Sequence, residues 1–380
     1  MPVLGNITAP ALSLTAGKLA GRGSTSGTGI LESISLSGLT MSGITLIADA
    51  IGSKNLKTYY GAIGNGSTDD STAVQNALDD TANPFIYVPA SDYHLGTTEL
   101  EFKIQGKVLF GPGMRRTYNN PTGWANYRAG QAANFISASA TNDVFYIGSN
   151  NVCMTGISIT QDPATTRTAG SGIQVGKKTP TYKIYEGSDA NALSNVTVDN
   201  ISMKDMWKST TCGQAWDSKI SNVSSYFTKY VGIQMDSPIP FGGYEISNCK
   251  MHGIAAGTAL AGYLVTQGDY NLWSGLQGFR FVNGAFISVA TGQQVSFQKF
   301  MDCHMDNVMG GYGIKMAVAG TGICSLNKAI GIDVNTGAAA GSYSIGAGCT
   351  DNRLSGVDGV YGSLGTPVNN GTRSRITDCS

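Results

Sequence analysis

Charge is scarce in this sequence. Only 13% of the residues are Asp, Glu, Lys or Arg, against about 25% in ordinary globular chains. The 25 basic and 25 acidic side chains also cancel. No net field draws the surface to a phosphate backbone or an anionic membrane, so neither a nucleic-acid partner nor membrane insertion is expected. No apolar run approaches the ~18 residues of a membrane span. The opening MPVLGNITAPALSLTAGKLA has neither the basic start nor the sustained apolar stretch of an export signal. Histidine occurs at His94, His252 and His304 only, too dispersed for a metal cluster, and nothing calls for a cofactor. The seven cysteines stand singly with no CxxC pair, which argues against a zinc site or a disulfide framework and reads as small buried thiols.

Glycine is abundant, 51 of 380 residues, roughly twice the usual share. Frequent turns and few charged helices suit one elongated domain whose core grows along an axis. Residues 1–50 are rich in Ser, Thr and Gly, with alternating apolar positions that suit short strands but supply little core. In YYGAIGNGSTDDSTAVQNALDD the apolar residues Ala73, Val74, Ala77 and Leu78 share one helical face, and Asn83-Pro84 stops the run. The pattern predicts a short capping helix near residues 69–80. Thr68, Asp69 and Asp70 then occupy its cap and first turn, where carboxylates meet unpaired N–H groups.

Two stretches resemble known families. Leu19–Leu46, with Gly21, Arg22, Gly23, Gly27, Gly29, Glu32, Ile34, Leu36 and Leu39, resembles a GRG-type element of bacteriophage tail fibres and tailspikes. Tyr60, Gly61, Ala62, Gly64, Gly66, Thr68, Asp69 and Asp70 resemble the YGAxGDGxTDD opening of the pectate-lyase-like right-handed parallel β-helix, with Asn65 in place of the usual Asp. Asn also tolerates tight turns. The resemblance implies an all-β right-handed parallel β-helix. It would have a small N-terminal virion-attachment segment (1–50), a first part with the capping helix and first coils (51–140) and a body (141–380). It implies a homotrimer in the virion tail, made in the host cytoplasm and docked on a tail or baseplate protein through residues 1–50. Its target would be a bacterial surface polysaccharide: capsule, exopolysaccharide or O-antigen. Cleavage of that polymer, adhesion without cleavage, and a pectinase-type lyase or hydrolase off the virion all stay open, because the family includes catalysts and inert adhesins.

A loose repeat agrees with such coils. VDNIS, ISNVS and ISNCK align Asn200, Asn222 and Asn248 at intervals of 22 and 26 residues, as a turn ladder. Weaker members at Gly156, Asp302, Gly356 and Asp378 extend it, with intervals of 44 and 54 read as two coils each, nine intervals in all. At about 4.8 Å per coil they predict a rod of roughly 43 Å.

The alignment proposes sites. Asp217 and Glu245 would face outward on neighbouring coils roughly 8 Å apart, from strand and coil spacings. That suits an inverting carboxylate pair, with Asp236 close in sequence. Lys219, directly below Glu245, offers an ordinary ion pair instead. Lys204, Tyr226 and His252 would stack outward on three coils, residue types that fit β-elimination from a uronate. Trp207, Trp216, Tyr230 and Trp273 are candidates for stacking on sugar rings.

Overall fold

A computed structural model describes residues 52–113, 132–176, 193–237, 243–254, 258–336, 341–361 and 368–377. All belong to one compact unit, Ile44–Ser380. The proposed attachment segment, residues 1–50, lies outside the described residues.

A representative coil is built from Ser218–Ser221, Ser224–Thr228 and Val231–Asp236. Each strand pairs in parallel with its counterpart one coil on: Tyr244–Ser247, Lys250–Gly253 and Ala261–Asp269. Repetition gives a 20-stranded sheet carrying the first two strands of each coil and a 13-stranded sheet carrying the third. The architecture is a right-handed parallel β-helix.

Strands stay short because the backbone bends at left-handed residues that recur coil after coil. One column of bends runs through Gly156, Asn200, Asn222, Asn248, Gly275, Asp302, Gly331 and Gly356, all at positive φ. The three asparagines therefore lie above one another as the sequence predicts. Their amides do not bond to each other, however: Asn222 Nδ2 donates instead to Asp199 Oδ1, at 2.8 Å.

The coil count needs one correction. Cys153–Thr155 pairs directly with Thr197–Asp199, so Gly156 to Asn200 is a single coil with a long excursion rather than two. Gly275 and Gly331 occupy the coils that the sequence pattern skipped. Gly156 to Gly356 thus spans seven steps instead of eight, about 34 Å at 4.8 Å each. Asp378 lies outside the described residues.

Alternation sends every second side chain inward. Val198, Ile220, Ile246, Trp273, Phe300, Ala329 and Leu354 stack along one interior column and are fully buried. Each large apolar member contributes about 1.5–3 kcal/mol relative to exposure. Cys212, Cys249, Cys303, Cys324 and Cys349 are likewise buried and unbridged, Cys153 half-buried.

The capping helix is Ser71–Asp79, slightly shorter than predicted, with Val74, Ala77 and Leu78 wholly buried. Its start is a further correction. Asp70 sits at the cap position, but its carboxylate turns away to accept the N–H groups of Ile63 (2.6 Å) and Gly64 (2.9 Å). Asp69 Oδ1 instead accepts the Ser71 N–H at 2.9 Å, and the Thr68 hydroxyl accepts from Asn65 Nδ2 at 3.0 Å. The acidic pair therefore ties the glycine turn to the helix. At the other end, buried Lys107 donates to the carbonyls of Ala77 and Asp80, in the last turn and at the C-cap where a helix leaves carbonyls unpaired, and to that of Asn83 in the following turn. Gln75 also exchanges two hydrogen bonds with the backbone of Glu101, standing in for a neighbouring strand at this edge.

Candidate functional site

Of the predicted carboxylates, Asp217 and Glu245 lie exposed on neighbouring coils, two positions apart in register, and Asp236 lies apart from them. Glu245 Oε1 lies 3.4 Å from Lys219 Nζ one coil below, in the ion pair that the alignment offered as its alternative. Asp217 is exposed on the neighbouring coil, at a left-handed bend (φ 46°) of a second column that also holds Asn151 and Asn195. Asp tolerates that conformation, which accounts for its presence there. Asp236 belongs to the other sheet, where it accepts from Thr266 Oγ1 at 3.0 Å.

Lys204, Tyr226 and His252 do stack on successive coils. Tyr226 and His252 have ring centroids 4.9 Å apart, and Phe279 continues the stack 5.2 Å beyond His252. Burial pushes the His252 imidazole down to about 4, with Lys250 and Arg280 adding to the effect. So weak a base is poorly matched to removing an α-proton at neutral pH. Lys204 lies 3.7 Å from Asp205, whose carboxyl is raised by burial and partly restored by Lys204 and Lys229.

Of the predicted sugar-stacking residues, Trp207 and Tyr230 form a half-buried parallel pair with centroids 5.2 Å apart and planes 10° apart. Trp216 is half-buried on the short strand Ala215–Trp216. Trp273 must be corrected: it points inward, fully buried, stacked on Phe300 at 5.2 Å and donating Nε1–H to Gln298. Its ring faces are closed to any ligand because its position shares the parity of Ile246.

The sequence reading missed a second constellation in the later coils. Buried Asn271, Gln298, Asn327 and Asn352 form a vertical amide ladder. Asn271 Nδ2 donates to Gln298 Oε1 (3.1 Å), the Gln298 N–H to Asn327 Oδ1 (2.9 Å), and Asn327 Nδ2 to Asn352 Oδ1 (3.0 Å). On one side of each amide the chain bends at Tyr270, Phe297, Leu326 or Asp351, at φ between 54° and 59°. On the other, Lys299, Lys328 and Arg353 pair in register and continue to Arg375, all four exposed. Tyr270 and Phe297 lie flat on one another, centroids 4.5 Å apart and planes 6° apart, and both are solvent-exposed. Between the bends and the cations lies an open cavity of about 600 Å³ lined by Phe297, Leu326, Lys328, Arg353, Arg373 and Arg375, among others. The triplets YNL, FQK, LNK, DNR and RSR, at intervals of 27, 29, 25 and 22 residues, carried this repeat in plain sight.

One carboxyl is tuned towards neutrality. Burial pushes Glu99 up to about 7, with Asp143 and Glu101 adding repulsion. Among the described residues no cluster of His, Cys, Asp and Glu has the arrangement of a metal site.

A three-strand parallel coil with an open, ligand-accessible outer wall places the chain structurally among β-helix proteins. No protein-family model matches it, and no curated protein does. Solved structures do. It is similar to the ORF18 protein of Geobacillus virus E2, at 14% identity and a TM-score of 0.59, over 90% of this chain and 65% of that one. It therefore spans about two thirds of the length of that relative. Looser likenesses are a tailspike protein mutant of E. coli bacteriophage HK620 in complex with a pentasaccharide (10% identity, 88% of this chain and 66% of that one, TM-score 0.48) and the mannuronan C-5 epimerase AlgE4 A-module of Azotobacter vinelandii (14%, 86% and 99%, 0.46). At these identities the likeness concerns the fold.

Proposed function

We propose that this chain is a bacteriophage tailspike or tail-fibre β-helix that grips a bacterial surface polysaccharide during host adsorption. It would act as a homotrimer in the virion tail, docked on a tail or baseplate protein through residues 1–50. The observation that carries this reading is the pair of accessible aromatic stacks on the outer wall, Trp207 with Tyr230 and Tyr270 with Phe297. Flat rings offered to solvent fit the apolar C–H faces of sugars, and a rigid rod repeats such contacts along an extended polymer. A viral protein and a pentasaccharide-bound tailspike among the fold's relatives accord with it.

Binding is the part the geometry favours. Hydrolytic cleavage needs two correctly spaced carboxyl groups, and Glu245 is engaged with Lys219; elimination needs a base, and His252 is a weak one. The test incubates purified full-length protein with capsule and lipopolysaccharide from a panel of bacteria. Retention of a polysaccharide, lost on changing Trp207 and Tyr230 to Ala, is expected. New reducing ends without unsaturated-uronate absorbance would assign hydrolysis, and that absorbance would assign elimination. Failure to retain any glycan would sink the proposal.

A further inference from the structure

The cation column is the least expected feature of the outer wall. Lys299, Lys328, Arg353 and Arg375 stand directly above one another on four successive coils, about 4.8 Å apart along the rod. Like charges directly opposite on neighbouring strands repel and destabilise a sheet. Among the described residues none of the four is paired with a carboxylate; the nearby Asp351 is held by Arg373, at 2.6 Å. Towards the first column of bends the next outward positions are Met301, Ile330, Ser355 and Thr377, none of them acidic, with Asp302 at the bend beyond Met301.

The second feature is the ridge on the other side of the cavity. Bulky residues rarely accept left-handed backbone, and strain of this kind clusters at functional sites. Tyr270, Phe297 and Leu326 all accept it, and all three are exposed. The buried amide ladder beneath them fixes each coil, so that ridge and cations run parallel along the rod.

We infer that this cavity binds an acidic polysaccharide, its sugar faces lying on Phe297 and Leu326 and its carboxylates meeting Lys328, Arg353 and Arg375, with Tyr270 and Lys299 continuing the ridge and the cation column beyond the cavity. The inference rests on the polysaccharide-binding reading above and names the class of polymer. An unpaired cation every coil suits a chain that carries acid groups at regular intervals, and the two guanidinium groups can each grip a carboxylate with paired hydrogen bonds. A nucleic acid fits less well. The cations form a single line on a chain with no net charge.

The experiment measures binding of the full-length protein to polygalacturonate, alginate and hyaluronate, with dextran and mannan as neutral polymers and single-stranded DNA and polyphosphate as other polyanions. Expected is salt-sensitive binding of at least one carboxylated polymer, weakened about tenfold or more by Lys328→Glu with Arg353→Glu. Lys219→Ala, on the same face but outside the cavity, should leave it unchanged. The neutral pair Lys328→Gln with Arg353→Gln guards against misfolding, since it relieves repulsion. It should raise the melting temperature while still weakening binding.

Absence of binding to all three carboxylated polymers overturns the inference. So does equal binding of DNA and polyphosphate, or a change in oligomeric mass in the charge variants, which would give the column to a subunit contact. If a neutral polymer binds and the charge variants leave it untouched, the acidic-polymer inference fails while the broader glycan reading survives. If no glycan binds, both fail.

Discussion

The early and late coils solve the same geometric problem with different side chains. At the second column of bends the early coils place Asn151, Asn195 and Asp217, and the late coils place Tyr270, Phe297, Leu326, Asp351 and Arg373, all at φ between 46° and 59° and only Asp351 of the early type. Two positions along, the early coils pair Lys219 with Glu245, whereas the late coils stack four cations. The backbone needs only residues that tolerate a left-handed bend, and Asn or Asp meets that need. The late coils depart from this choice twice, in strain and in repulsion, on the two walls of one cavity. Departures from local rules that coincide at a surface cleft are the physical mark of a ligand site.

The largest expected effect separates the amide ladder of the late coils from the asparagine bends of the early ones. Asn327→Ala strips the Gln298 N–H of its acceptor and removes donors to Asn352 and Val295, all buried. Unsatisfied buried groups cost about 1–3 kcal/mol, so the loss should be about 2–4 kcal/mol in denaturant unfolding. Asn222→Ala, at a half-buried bend, should cost about 1 kcal/mol, mostly the left-handed backbone penalty. Equal losses would mean that the interior ladder is no more than decoration.

Why the early coils were legible and the late ones were not follows from residue type. Asn200, Asn222 and Asn248 announce a bend because Asn is common there, and that column set the register, the interior of Ile220 and Ile246, and the Lys219–Glu245 pair. The YGA and DD motifs located the helix, although not that Asp70 would serve the glycine turn. Late bends at Phe297 and Leu326 look like strand residues, so their column was invisible to a search for turn formers. Trp273 was misplaced for the same reason. Without the Asn248-to-Gly275 step its parity was unassigned, and an aromatic residue in a β-helix reads equally as core or platform. The coil from Gly156 to Asn200 was miscounted because length alone does not distinguish two coils from one with an excursion.

A reciprocal swap sharpens the contrast at smaller amplitude. Leu326→Asn relieves left-handed strain at an exposed side chain and should stabilise the protein by about 1 kcal/mol. It should also weaken retention of the acidic polymer, since Leu326 lines the cavity. Asn195→Leu, in the same column of the early coils, adds that strain and removes the 3.1 Å bond from Nδ2 to Asn151. It should destabilise by about 1–2 kcal/mol and leave polymer binding intact. If Leu326→Asn destabilised instead, the claim that this residue is kept for its surface at the expense of backbone comfort would fail.

The smallest effect is expected at the Lys219–Glu245 pair, and its smallness is informative. Both side chains are about half exposed, at 47% and 50%, and lie 3.4 Å apart. Exposed pairs of this kind contribute about 0.2–1 kcal/mol, screened by salt. Glu245→Gln should therefore lower stability by less than about 0.5 kcal/mol at physiological ionic strength, and polymer binding should be unaffected. The same variant bears on cleavage. If polymer-cutting activity is found, a structural ion pair at this position predicts that Glu245→Gln retains it. A variant that binds normally, folds normally and no longer cuts would restore Glu245 as a reacting carboxyl and make Asp217, on the coil below, the next residue to change. In that event the early coils would carry the chemistry and the late coils the grip, and the division between the two halves of the rod would become one of function as well as of side-chain type.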